Sequence, residues 1–317
     1  MPAFSFSAPG KSILFGEHAV VYGFPAIAVP LSSISLKVTI QPLPVDNKII
    51  IDNRDLHEEL NLDTITKDNP YKHSIETIRD YLKIDHLPSM RIIISSKIPI
   101  GSGLGSSAAY SVAISTAITA FLGFKLNLEK INELAYEIEK FQHGNPSGID
   151  NTVVTFKRPI YFRKNYAPEQ IKIIEPMELI VADTGIKALT KDVVTQVKTK
   201  IEREPDQFTE IFQKIAGVTN IARQDIEMNN QHEVGKLMLE NHYLLQQLGV
   251  SIPELDKLVD LAVKEGAYGA KLCGSGKGGN IVALIPPEKA EKIKSSLLNA
   301  GAVFCLSSTI EKRKKIN

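Results

Sequence analysis

The stretch MRIIISSKIPIGSGLGSSAAYSVA, residues 90–113, narrows the choice of fold more than any other. MRIIIS at 90–95 reads as a strand. Gly101, Gly103 and Gly105 then stand at alternate positions. Ala108, Ala109, Val112, Ala113, Ala117 and Ile118 follow at the spacing of a packed helix that begins near Ser106. Glycines let a backbone approach a ligand closely and turn its N–H groups toward one point. A helix start adds free N–H groups and the positive end of the helix dipole. The run Gly101, Ser102, Gly103, Leu104, Gly105, Ser106, Ser107, Ala108 is therefore a candidate anion site, suited to a polyphosphate. The plainer alternative is a tight strand-to-helix turn with the serines as N-caps. The Walker pattern GxxxxGK[ST] does not fit, because no lysine follows these glycines.

Other segments show a mixed pattern. Ile34, Leu36, Val38 and Ile40 alternate as in a half-buried strand, and KIIID at 48–52 reads as another. Between them and residue 90, Asn69 is a cap, Pro70 opens a helix, and Ile75, Ile78 and Leu82 follow at helical spacing. A second helix covers about 127–140, with Ile131, Leu134, Ala135 and Ile138 on one face, and DNTVVTF at 150–156 reads as a strand. The character changes near 165–178, a polar stretch with two prolines, which gives expected domains of 1–172 and 173–317. Beyond it, ELIVADT is a strand and helical patterns dominate 189–265. The end reads strand (GAKLCG), loop (GSGKGG, 274–279), strand (NIVALIP), helix (PEKAEKIKSSLLNA), strand (AVFCLSS), with EKRKKIN as a solvated tail. Several strands lie close together at the start, so two α+β domains fit better than one alternating parallel sheet.

A chain of 317 residues, 43% hydrophobic, buries a sizeable core without disulfides. Thirty-seven Lys and Arg against 36 Asp and Glu leave a net charge of +1. That creates no broad field for nucleic acid or an anionic membrane, and neither is an expected partner. Cys273 and Cys305 form no CxxC pair, which favours a reducing compartment. MPAFSFSAPG lacks the form of a signal peptide, and no apolar stretch reaches the ~18 residues of a membrane span. A soluble cytoplasmic protein is expected.

Three further places carry chemistry. In APGKSILFGEH a Walker loop needs Gly at position 5, where Ser5 stands, so Lys11 is not a P-loop lysine. Lys11, Ile13 and Phe15 alternate with Ser12 and Leu14; a lysine on a buried strand needs a counter-charge, and on this stretch alone a solvent-facing lysine at a strand end is the simpler reading. GSGKGG formally matches GxGxxG, but a strand follows it where a dinucleotide site needs a helix. A hairpin-like loop that closes over a ligand and a simple glycine turn both stay open. Glu139 sits at the edge of its helix's buried stripe, and Asp150 follows the turn-rich NPSGI; an ordinary surface acid is the commoner fate of each. His18 and His143 are the notable histidines. No HExxH, His/Cys cluster or GxSxG elbow appears, which argues against zinc and against a serine hydrolase.

Together APGKSILFGEHAVVYG (8–23), PIGSGLGSSAAYSVA (99–113) and KLCGSGKGGNIVAL (271–284) resemble, in order, the three motifs of the galactokinase, homoserine kinase, mevalonate kinase and phosphomevalonate kinase (GHMP) superfamily. GEHAVVYGFPAIA, HGNPSGIDNTVVTF (143–156) and DTGIKALTKDVV (183–194) are most similar to its mevalonate kinase branch. The resemblance implies a two-domain α+β fold, with an N-terminal ribosomal S5 domain 2-like domain and a C-terminal ferredoxin-like domain. It implies Mg²⁺-dependent transfer of the γ-phosphoryl group of ATP to the 5-hydroxyl of mevalonate. By matching positions, residues 101–108 and Gly274, Ser275 and Gly276 bind the nucleotide, and Ser107 and Glu139 hold Mg²⁺. Asp150 is the base, with Lys11 beside it, and Glu17, His18 and Thr190 lie near the substrate. Another small-molecule kinase of the superfamily and a non-catalytic nucleotide-binding regulator are the alternatives. The oligomeric state, a homodimer included, stays open. Lys277 departs from the small residues usual in the third motif; a surface lysine pointing away is the simpler reading, an added phosphate contact the sharper one.

Overall fold

The structure is a computed structural model. It describes residues 3–44, 48–99, 101–144, 146–188 and 190–312, with the side chains of Gln142, His143 and Lys191 outside the description. Two compact units emerge, each drawn from separated segments. The first comprises residues 1–10, 34–99 and 105–157; the second comprises 11–33, 100–104 and 158–317. The sequence led us to expect a single boundary at 172/173, whereas these units are interleaved along the chain.

Strands β1 (Phe4–Phe15) and β2 (Ala26–Pro42) give residues to both units. In the first unit they are joined by β3 (Ile49–Asn53), β4 (Glu58–Asn61), α1 (Pro70–Leu82), β5 (Met90–Ser96), α2 (Ser106–Phe121), α3 (Leu128–His143) and α4 (Ile149–Phe156). The sheet order is β4-β3-β5-β2, with β3 parallel to β5 and the other pairs antiparallel. The alternation read at 34–40 is real: Ile34, Leu36, Val38 and Ile40 are buried while Lys37 is exposed. The cap of α1 is also as expected, with Asn69 Oδ1 accepting the Tyr71 N–H at 2.9 Å. Helix α3 starts beside its Asn127 cap and runs three residues past the expected end at 140.

The strand expected at 150–156 is instead helix α4. Its β-branched residues made it read as a strand, since Val and Thr favour sheets. Gly148 turns the chain with φ of 88°, and Ile149, Asn151, Thr152, Val153, Val154 and Thr155 are buried nearly all round the helix. Thr152 Oγ1 donates to Gly148 O at 2.6 Å. Packing against α2 and α3 overrides local propensity here.

In the second unit the first residues of β2, Ala26–Ala28, pair antiparallel with β6 (Ile160–Phe162), which pairs with β7 (Glu169–Gln170). The remaining elements are β8 (Met177–Asp183), α5 (Thr190–Arg203), α6 (Pro205–Glu227), α7 (Gln231–Gln247), α8 (Pro253–Lys264), β9 (Gly269–Cys273), β10 (Asn280–Ile285), α9 (Ala290–Asn299) and β11 (Phe304–Ile310). β8 to β11 form an antiparallel sheet in the order β11-β8-β10-β9. With α5–α8 after the first strand and α9 after the third, this is the ferredoxin-like arrangement. GSGKGG is the hairpin loop between β9 and β10, with Cys273 opposite Asn280. That accounts for the strand following it and excludes the dinucleotide fingerprint. Among the described residues no helix is long and apolar enough to cross a membrane.

Helix α7 packs on β9 through two glycines. A Cβ on Gly269 would lie 1.9 Å from Gly235 O, and one on Gly235 would lie 2.3 Å from Tyr268 O. Backbone faces backbone, so no side chain can swing aside. Gly269→Ala is expected to cost about 1–3 kcal/mol, as overpacked sites do. Urea unfolding of the variant beside the wild type measures this, and an unchanged midpoint would contradict it.

Candidate active site

In the first unit the candidate residues begin at the start of α2. The N-cap is Gly105, at φ of 83°, and no side chain caps the helix. Ser106 and Ser107 are thus the first helical residues and not caps, which removes the simpler reading of these serines. Gly101 and Gly103 also have positive φ, 73° and 76°, yet a Cβ at either would meet nothing within 4 Å. Their glycine character therefore answers to backbone conformation and leaves open space beside the loop.

Ser107 Oγ donates to Glu139 Oε1 at 2.5 Å, and Ser111 Oγ donates to the same oxygen at 2.9 Å. Glu139 is only 3% exposed, more deeply set than the stripe-edge position read from its helix. A buried carboxylate demands donors, and α2 supplies two hydroxyls one turn apart. Among the described residues no group of three or more His, Cys, Asp or Glu could hold a metal. A hydroxyl with one carboxylate is nonetheless a hard-oxygen pair that suits Mg²⁺, which completes its shell with phosphate oxygens and water. Asp150 is half-buried in the first turn of α4. Its neighbour Asn151 locks that turn to α3 by donating to Asn132 Oδ1 at 2.7 Å.

In the second unit Lys11 is 4% exposed within β1, so the solvent-facing alternative falls away. Its backbone N–H donates to Leu104 O at 2.9 Å. Gly101, Ser102, Gly103, Thr190, Ser275 and Gly276 line one cavity of about 290 Å³. Thr190 Oγ1 and Ser275 Oγ stand 3.4 Å apart there. Asn280, fully buried at the base of the hairpin, donates to Ser102 O and so ties the glycine loop to the third motif. Gly274 is half-buried with φ of 89° and lies outside the cavity lining.

His18 takes a positive-φ backbone conformation, φ 60° and ψ −50°, that of a γ-turn's central residue. Such a conformation in a residue other than glycine persists only where its surroundings over-determine it. Nε2 donates to the Ser275 carbonyl at 2.9 Å, because a carbonyl can only accept. Burial lowers the pKa of His18 to about 4, with Lys271 adding to the fall, so the imidazole is neutral at pH 7 and Nδ1 is an acceptor. Glu17 does not line the cavity. It is 1% exposed and forms a buried ion pair with Lys271, whose side chain is fully buried in β9. Burial pushes the Glu17 carboxyl up from its ordinary range, and the Lys271 ammonium opposes that rise.

Lys271, Asn241, His242, Ser111 and Asn280 escaped the sequence reading. One had a signal: Lys271 stands inside the apolar run of β9, where a charge implies a partner. His242 had none. It accepts the Leu272 N–H of edge strand β9 at Nδ1, 3.2 Å away, and donates from Nε2 to Asp256 Oδ1 at 3.0 Å. Lys277 is half-buried, also with positive φ (60°), and lies outside the cavity lining. The side chain of His143 lies outside the described residues.

Known proteins resemble this chain over most of its length. Residues 69–158 match the GHMP kinases N-terminal domain and residues 222–303 the GHMP kinases C-terminal domain. The mevalonate kinase of Methanocaldococcus jannaschii is 35% identical over 307 residues, covering 91% of this chain and 94% of that protein. The crystal structure of a Methanococcus jannaschii mevalonate kinase superposes with a TM-score of 0.85 at 33% identity, covering 99% of each chain. That of L. major mevalonate kinase in complex with R-mevalonate gives 0.84 at 29% identity, covering 97% of this chain and 96% of that one. The chain belongs to the GHMP kinase family, in its mevalonate kinase branch.

Proposed function

We propose that this chain is an ATP-dependent kinase that transfers the γ-phosphoryl group to the 5-hydroxyl of mevalonate, giving 5-phosphomevalonate and ADP. The observation that carries the reading is 35% identity to a mevalonate kinase across 91% of the chain. The chemistry of the site supports it. Phosphoryl transfer asks a protein mostly for positioning and charge stabilisation. The uncapped start of α2 and the Gly101–Gly105 backbone offer N–H groups to a polyphosphate.

Asp150 is our choice of base. It takes the proton of the 5-hydroxyl as that oxygen bonds to the γ-phosphorus and the bond to ADP breaks. Lys11 is the cation assigned to the acceptor oxygen, where a positive charge favours the developing alkoxide. His18 and Thr190 are assigned to the acceptor side, and Ser275 and Gly276 to the nucleotide. Ser107 and Glu139 would hold Mg²⁺, which when bound neutralises charge on the nucleotide phosphates. The Asn151–Asn132 bond ties the first turn of α4, which carries Asp150, to α3.

Two outcomes test the assignments. Asp150→Asn should fold and bind ATP yet lose roughly 10²–10⁴-fold in turnover, the usual contribution of a general base. Isothermal titration and an ADP-coupled assay measure the two properties, and near wild-type turnover would remove Asp150 from the role. Glu139→Gln should raise the Mg²⁺ concentration for half-maximal rate by about tenfold or more. A magnesium titration at saturating ATP reads this, and an unchanged half-point would move the metal elsewhere.

A further inference from the structure

The hairpin β9–β10 grips residues 17 and 18 at two points. Lys271 Nζ, fully buried, donates to Glu17 Oε1, and also to the Leu272 carbonyl at 2.6 Å. Four residues on, the Ser275 carbonyl accepts from His18 Nε2. A third element, α7, supplies Asn241, whose Nδ2 lies 3.4 Å from Glu17 Oε2. The turn is also closed on itself, with Ala19 N–H donating to Glu17 O at 2.7 Å and Val20 N–H to Gly16 O at 3.1 Å. A buried ion pair is a poor device for stability, because well-packed apolar residues often do as well or better. What the pair provides is direction. It fixes a carboxylate next to a residue held in a rarely populated backbone conformation, and that residue's ring reaches the loop next to the cavity.

We propose that Lys271 is a positioning residue: by holding Glu17 it fixes the turn that presents His18, and so keeps the imidazole in one orientation and one tautomer against Ser275. Glu17 then acts through this pairing and is not itself a contact to the ligand. The consequence for catalysis rests on the proposed reading of His18 as an acceptor-side residue. The grip on His18 stands on geometry alone.

Two variants decide it, Lys271→Met and the neutral pair Glu17→Gln/Lys271→Met. Each is examined for thermal stability, for KM toward mevalonate and toward ATP, and for histidine side-chain ¹⁵N spectra without substrate, with His18→Gln assigning the resonance. Lys271→Met leaves a buried carboxylate unpaired and should lower Tm. It should raise the KM for mevalonate roughly 10- to 100-fold, the scale on which a displaced group acts, with the KM for ATP changed by less than about twofold. The neutral pair should regain Tm while the KM for mevalonate stays high and the single Nε2–H tautomer of His18 stays lost. Recovery of both Tm and KM in the neutral pair would overturn the proposal and leave the ion pair purely structural. An unaltered His18 spectrum in either folded variant would overturn it as well. If the single variant does not fold, the neutral pair carries the test. Failure of the wild type to phosphorylate mevalonate would count against the proposed function, and the His18 spectra would still decide the positioning.

Discussion

Helix α2 is buried along almost its whole length from Ala108 to Phe121, Thr116 and Ala120 excepted, and its opening turn is half-open. The first unit is organised by that fact. A buried helix has to be packed by its neighbours, and α1, α3 and α4 surround it. The same packing aims its N–H groups in one fixed direction. An anion site built on backbone donors works only if the backbone cannot move, and the core removes that freedom. Ser107 and Ser111 extend the order outward to Glu139, so one helix fixes both the dipole and the carboxylate.

The second unit uses a different device. Its sheet ends in edge strand β9, which carries Lys271 and leads into the glycine hairpin. An open edge strand invites unwanted pairing. Here α7 lies against it, with His242 taking the Leu272 N–H and Gly235 meeting Gly269 backbone to backbone. The hairpin that follows is therefore anchored from below. The contact to Ser102 leaves from that base at Asn280, and the contact to His18 from the glycine-rich loop just above it.

Much of this was legible in sequence because local signals agreed with the final structure. The start of α2 at Ser106, the Asn69 cap and the alternation from Ile34 to Ile40 all follow from short-range pattern. The GSGKGG hairpin was legible for the same reason, since a strand stood on each side. DNTVVTF failed because its β-branched residues favour a strand locally, while burial on nearly every side of α4 by α2 and α3 decides for a helix and leaves little amphipathic period to read. The pair of Lys271 with Glu17 could be suspected from a lysine in an apolar strand, but its partner lies 254 residues away, beyond any local rule. The interleaving of the two units was illegible for a similar reason. Composition marks where a chain changes character, and it does not reveal which separated segments return to the same core.

That separation sets an order on how the protein is made. Glu17 leaves the ribosome 254 residues ahead of Lys271. At typical synthesis rates the gap is on the order of 10–50 s. Throughout that interval the carboxylate lacks its Lys271 partner, and burying it alone would be costly. The first β-strand pair can form early, but the turn at Glu17 and His18 has reason to stay hydrated until β9 arrives. The nascent chain thus meets a built-in delay: the turn proposed to face the substrate waits for a partner strand made some 254 residues later.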